Sequence, residues 1–111
     1  MDDDRARALL RAERDRVQRL LEGAGRAGRA DREAVDEDAG SSDAAELLTS
    51  QAADDALTTE LRDRIAAIDR AEQRLQAGTF GRSIVSGQPI PDDRLEADPA
   101  AELTVAEANA L

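Results

Sequence analysis

The sequence predicts an all-α protein: a long antiparallel helical hairpin, then a small turned knuckle and a short C-terminal helix. Three observations carry this. Two apolar-periodic runs are separated by one short polar stretch, residues 36–42. Gly and Pro gather after the second run, at Gly78, Gly81, Gly87, Pro89, Pro91 and Pro99. The apolar content is mostly Ala and Leu, with Phe80 the single aromatic, which suits helices with narrow apolar stripes better than a sandwich or barrel.

The first helix is read over about 3–22. Leu9, Leu10, Val17, Leu20 and Leu21 recur at helical spacing, and Asp2, Asp3 and Asp4 complement the positive end of the helix dipole. Asp3–Arg7 and Asp15–Arg19 are acid-before-base pairs four apart. Gly23, Gly25 and Gly28 weaken an extension to residue 34, at roughly 1 kcal/mol each against Ala.

The tip is read over about 36–45, where the stretch DEDAGSS contains no apolar residue but Ala39. Ser42 or Asp43 is a natural N-cap for a second helix over 43–77. That helix would be about 50 Å long. Its stripe is Leu47 or Leu48, Leu57, Leu61, Ile65, Ile68 and Leu75, with steps close to a heptad seam and Glu72 in one apolar place. Gly78 is placed to stop it. Two such helices joined by a short polar turn make an antiparallel hairpin over 1–77, and 78–111 is a separate small end.

In that end, Pro fixes φ and Gly supplies positive φ, so the chain must turn tightly. Phe80, Ile84, Val85, Ile90, Leu95, Leu103 and Val105 are its candidate packing residues. Thr104 and Glu107 have the spacing of a capping box and predict the start of the last helix.

Charge excludes several functions. The net charge is −10, and all fifteen basic residues are Arg. Residues 1–30 carry 8 Arg and 6 acids, whereas residues 31–60 carry 1 Arg and 10 acids. Such a chain repels a phosphate backbone, so direct DNA binding is not expected. The acidic middle suits either a basic protein surface or a solvated loop. No apolar run approaches the roughly 20 residues that span a bilayer, and the opening MDDDRARALL is unlike a signal peptide, so a cytoplasmic location is expected.

The chain has no His and no Cys, which removes the commonest bases, nucleophiles and metal ligands. Asp54 and Asp55, like Asp92 and Asp93, read as surface charge. Gly78 and Gly81 lack the strand and Lys of a phosphate loop. Neither an enzymatic activity nor a cofactor is expected.

One stretch goes further. Residues 78–107 keep Gly78, Phe80, Gly81, Gly87, Ile90, Pro91, Arg94, Leu95, Glu96, Ala97, Pro99 and Leu103 in the order of the globular end of the DksA/TraR family of bacterial transcription regulators. The chain resembles that family but lacks its four zinc-ligand cysteines. Ser83, Ser86, Thr104 and Glu107 stand at their places. At the predicted tip, ungapped counting puts Asp43 and Ala45 on the family's Asp-x-Ala, with Asp38 near the place of its first Asp. A helix cap explains Asp43 equally well.

The resemblance implies binding to RNA polymerase through its secondary channel. The hairpin tip would approach the active centre, and the knuckle, with Arg94 and Leu95, would rest on the channel rim. The resemblance leaves a nucleotide alarmone open as a further partner. The resemblance also implies a zinc-finger-like end without zinc, because hydroxyls and one carboxylate cannot hold the ion. Two other readings stay open: a coiled-coil adaptor derived from the family that no longer contacts polymerase, and a partly folded relic.

Overall fold

A computed structural model describes residues 1–37 and 44–111, with side chains described over 1–24 and 52–111. Four helices follow one another among the described residues: α1 (Asp3–Glu37), α2 (Ala44–Ala77), α3 (Asp92–Ala97) and α4 (Val105–Asn109). No strand is present among them, only one isolated antiparallel bridge between Arg82 and Pro89.

Asp2 starts α1. Its carboxylate accepts from the Arg5 amide at 2.7 Å, and its carbonyl accepts from Ala6 at 3.1 Å, which satisfies donors left orphaned by the first turn. Arg7 pairs with Asp4 at 3.1 Å rather than with Asp3 as the four-residue spacing suggests. The helix continues through Gly23, Gly25 and Gly28 to Glu37, so the glycines do not end it near residue 22.

The described residues divide into two compact units. One comprises Met1–Asp15 and Ile65–Leu111, the other Arg16–Arg64. In the first, the opening turns of α1 run antiparallel to the closing turns of α2. Arg14 reaches Asp69 and Glu72, while Arg7 and Leu10 share a recess with Leu75 and Gln76. The buried positions there are Ala6 and Leu10 on α1, and Ile68, Ala71 and Leu75 on α2. Their spacings of three, four and seven carry the stripe that the sequence shows. In the second unit, Val17 and Leu61 are buried, whereas Leu20 and Leu57 are half exposed and stand outside the core.

The end of α2 is a Schellman stop. Gly78, at φ +79, donates to Leu75, and Thr79 donates to Arg74 at 2.9 Å. The chain then folds back on itself. Ser83 donates to the Gln88 carbonyl at 2.9 Å, and Ile90 donates to Gly81 at 2.8 Å. Gly87, at φ +74, closes the turn by donating to Ser83 at 3.0 Å. Such a backbone favours Gly because a Cβ crowds it.

The sequence reading contains no helix over Asp92–Ala97. A six-residue segment shows less than two turns of periodicity, too little for a pattern. It forms because Pro91 presets φ before it and its carbonyl accepts from Leu95 at 3.1 Å. This helix delivers Leu95 to the knuckle core, a cluster of Ile90, Leu95 and Ala101 with Met1 and Phe80 packed against it.

The burial pattern makes a stability prediction. Ile68→Ala, at a fully buried site, is expected to cost about 2–5 kcal/mol. Leu57→Ala, at a residue 45% exposed, is expected to stay within about 0.5 kcal/mol. Urea unfolding of both variants checks the contrast.

Candidate functional site

The residues that close the knuckle lie on two separate segments, 83–86 and 104–107. Thr104 is the N-cap of α4, and the capping box is complete. Glu107 donates its amide to Thr104 Oγ1 at 3.2 Å, and the Glu107 carboxylate accepts from the Thr104 amide at 2.9 Å. Across from it, Ser83 Oγ accepts from the amides of Val85 at 3.1 Å and Ser86 at 3.2 Å. Ser83 is the buried polar residue of this region, at 5% exposure. The hydroxyls of Ser83 and Ser86 favour the charged form of the Glu107 carboxylate.

The electrostatics follow from that arrangement. The Thr104 amide first, then the Ser83 hydroxyl, hold the Glu107 carboxyl down to about 2, against the opposing effect of desolvation. Ser86 and the Thr104 hydroxyl add smaller contributions of the same sign. The two segments are also pinned by the Ile84 amide, which donates to the Glu102 carbonyl at 2.9 Å.

Arginines tie this end to the long helices. Glu102 receives Arg70 at 2.9 Å and Arg74 at 3.3 Å, and the Arg70 hydrogen bond is the main reason its carboxyl lies below the usual range. Arg5 of α1 grips Glu96 of α3 at 2.6 Å. Arg94 donates from Nε to the Leu103 carbonyl at 3.0 Å. No sequence pattern marks Glu96 or Glu102 as partners, because each pairs with an Arg more than 25 residues away.

The sequence-derived candidates fall into three groups. Ser83, Ser86, Thr104 and Glu107 come together. Leu95 is buried in the core, at 2% exposure, and Arg94 binds the backbone beside it. Asp38 and Asp43 lie outside the described residues, and Ala45 lies in the first turn of α2.

Three of the expected packing residues do not pack. Ile84 is 58% exposed, Val85 74% and Val105 50%. The tight turn from Ser83 to Gly87 puts residues 84 and 85 on its outer corner. Val105 opens a helix of five residues that covers little of its own surface. Beside Ile84, a recess of about 410 Å³ is walled by Arg70, Arg74, Thr79 and Glu102. Arg74 Nε, buried there, has no hydrogen-bond partner among the described residues.

The donor set at 83, 86, 104 and 107 does not fit zinc. It offers three neutral hydroxyls and one carboxylate, and these groups are already engaged with backbone amides and one another. Among the described residues, no three His, Cys, Asp or Glu side chains meet as metal ligands do. No helix among them is long and apolar enough to cross a membrane.

No protein-family model matches the chain. General stress protein 16O of Bacillus subtilis (strain 168) is 37% identical over 59 residues, covering 53% of this chain and 36% of that protein. The match thus spans about a third of the relative's length. The structure of transcription factor DksA2 from Pseudomonas aeruginosa matches 97% of this chain and 81% of that one, with TM-score 0.81 and 25% identity.

The fold is DksA-like. Long helices followed by a turned end, as the sequence predicts, are the shared architecture. In this DksA-like end the closing groups are oxygen and nitrogen atoms alone.

A pH dependence follows. Glu107 sits at about 2 when folded and near 4.5 otherwise, so its contribution is complete above about pH 4.5 and is lost as pH falls toward 2. Wild type is expected to lose thermal stability across that interval more steeply than Glu107→Gln. Other lowered carboxyls, Glu96 and Glu102, act in both proteins and cancel in the comparison. Parallel melts from pH 7 to pH 2.5 that coincide for the two proteins would refute the assignment.

Proposed function

We propose that the chain is a transcription regulator that binds RNA polymerase at the secondary channel and works without zinc. The observation that carries this reading is the match of 97% of the chain to the fold of a transcription factor, DksA2. Added to it are the residues shared with the DksA/TraR pattern over 78–107 and the lack of any Cys or His in the chain.

In this reading the division of labour is simple. Residues 1–77 form an arm whose acidic tip, with Asp43, Ala45 and Asp38, enters the channel. Residues 78–111 form the docking end. Leu95 acts from within the core, and Arg94 holds the backbone around it, so both support docking indirectly.

The contact itself is assigned to the exposed apolar side chains of Ile84, Val85 and Val105, of which Ile84 borders the Arg70–Arg74 recess. Exposed apolar side chains suit a protein surface that offers apolar groups within a polar rim. The partner is a protein, not DNA. The net charge of −10 opposes nucleic acid.

The test separates docking from action at the active centre. Wild type is expected to co-purify with core polymerase. Ile84→Asp combined with Val85→Asp is expected to weaken that binding at least about tenfold, roughly the effect of losing one strong contact. Leu95→Asp is expected to weaken it too, by unfolding the knuckle, because an unpaired buried charge costs several kcal/mol. Asp43→Asn is expected to leave binding within a few fold while reducing the effect on promoter-complex lifetime. Failure of wild type to bind polymerase would refute the reading and leave the adaptor. A fully active Asp43→Asn would reduce Asp43 to a helix cap.

A further inference from the structure

Of the backbone-to-backbone hydrogen bonds made by residues 83–88 among the described residues, one leaves the turn. Ser83 donates to Gln88 and Gly87 donates to Ser83, both within it. The Ile84 amide instead donates to the Glu102 carbonyl, at 2.9 Å. Ile84 and Val85 are exposed, so apolar packing does little to fix where the turn stands. The bond to Glu102 supplies what packing does not.

Glu102 is itself held from the other side, and both of its carboxylate oxygens are taken. Arg70 donates from Nη2 to Oε1 at 2.9 Å and from Nε to Oε2 at 3.2 Å, and Arg74 donates from Nη1 to Oε2 at 3.3 Å. The two arginines stand about one turn apart near the end of α2. A planar fork that meets a carboxylate with two parallel bonds fixes its direction as well as its distance. The flanks of Glu102 are also restrained. Ala101 is buried, and the Leu103 carbonyl accepts from Arg94 Nε at 3.0 Å. Arg70, Arg74, Glu102 and Ile84 line one recess of about 410 Å³. A single residue thus offers its side chain to α2 and its carbonyl to the exposed turn.

We propose that Glu102 is the positioning residue of the docking turn: α2 holds its carboxylate through Arg70 and Arg74, and its carbonyl sets where Ile84 and Val85 stand. The role in docking rests on the polymerase reading above; the placement of the turn does not. The apolar core of Ile90, Leu95 and Ala101 packs without Ile84, so the turn is referred to α2 rather than to that core. Segments with few buried contacts open locally while the core stays closed. Glu102 sets how often this one opens. A contact surface held in one place before binding loses less freedom on binding, so the same residue tunes docking without touching the partner.

The bland alternative is that these ion pairs order nothing, as many surface pairs do. Amide exchange by NMR on the whole chain decides, with the fast amides read by magnetisation transfer from water. In Glu102→Ala the Ile84 amide is expected to exchange at least about fivefold faster, the factor that goes with losing one hydrogen bond to a charged group. Glu102→Gln is expected to fall between wild type and Glu102→Ala, since it keeps an acceptor without the charge. The Ile90 amide, which donates to Gly81, is expected to change less than about twofold in both. Arg70→Gln is expected to speed Ile84 in the wild-type background and to add nothing in Glu102→Gln, because the two residues act through one contact. Should Glu102→Ala lose the helical circular dichroism of wild type, the same contrast is read in Glu102→Gln, which keeps the side-chain volume. An unchanged Ile84 amide, an Ile90 amide that speeds up equally, or additive effects of Arg70→Gln and Glu102→Gln would each overturn the proposal.

Dissociation from core polymerase reads the role in docking. Glu102→Gln is expected to dissociate at least about threefold faster with little change in association rate, as effects at one interface fall mostly on dissociation. The same substitution is expected to add nothing once Ile84→Asp and Val85→Asp are present. A wild type that binds, with an Ile84 amide that responds to Glu102 and a dissociation rate that does not, overturns the role in docking. A wild type that does not bind polymerase removes the docking reading instead, and amide exchange on the free protein then decides the positioning by itself.

Discussion

The end of this protein depends on one carboxylate. Glu107 is reached by the amide of Thr104 and is favoured in its charged form by two hydroxyls that come from a different segment. The chain after α3 is also tied by Glu102 to Arg70 and Arg74, by the Ile84 amide to the Glu102 carbonyl and by Arg94 to the Leu103 carbonyl. Its apolar contribution to the core is Ala100 and Ala101, which bury little area. A chain without Cys or His has no covalent or metal closure, and with one aromatic it has little apolar bulk. A network of hydrogen bonds around a charge is the remaining option, and its members must be satisfied for it to stabilise the fold. The capping box and the Ser83 turn meet that condition between them.

The same shortage of apolar area explains the arginines. Arg5, Arg14, Arg70 and Arg74 each bridge elements that touch over small surfaces. Exposed pairs of this kind contribute roughly 0–1 kcal/mol, so the Arg5–Glu96 pair orients α3 more than it stabilises it. Arg14 and Arg74 are different in degree, being mostly buried, at 24% and 15% exposure. Arg14 spans two carboxylates on α2, which suits a planar fork better than an ammonium. It occupies the interval between Leu10 and Val17, where the apolar seam of α1 has a gap. The absence of Lys across the whole chain is consistent with this use of bidentate geometry, although composition alone accounts for it equally well.

Function and stability are separated in the small end. The apolar residues that hold it, Ile90, Leu95 and Ala101, face inward. The apolar residues left outside, Ile84, Val85 and Val105, add nothing to the core and form a surface that water disfavours. A protein with so little apolar bulk leaves these three branched aliphatic side chains in solvent. The proposed docking gives them a role.

Much was legible from residues near one another in sequence. The stripe through Ile68 and Leu75, the stop at Gly78, the tight turn after it and the Thr104–Glu107 capping box are local patterns, set by helical period or by φ at a single glycine. The order of Gly, Pro and apolar residues over 78–103 also pointed to the DksA-like fold that the structural comparison finds. Local rules misjudged what depends on competition between distant groups. Gly23 and its neighbours were expected to weaken α1 beyond residue 22, with an extension to 34 left open, and the helix runs on to Glu37 because propensity is a weak term. A six-residue α3 left no periodic trace. Ile84, Val85 and Val105 looked like core by composition, yet the turn geometry faces them to solvent. That Glu102 would serve Arg70 and Arg74, and that Ser83 and Glu107 would meet, rest on separations of 24 residues or more along the chain. Sequence determined where the chain coils and turns, because those choices are made within a few residues. Tertiary structure alone decided which charges meet and which apolar groups are left outside, because both depend on which distant segments come to share one small volume.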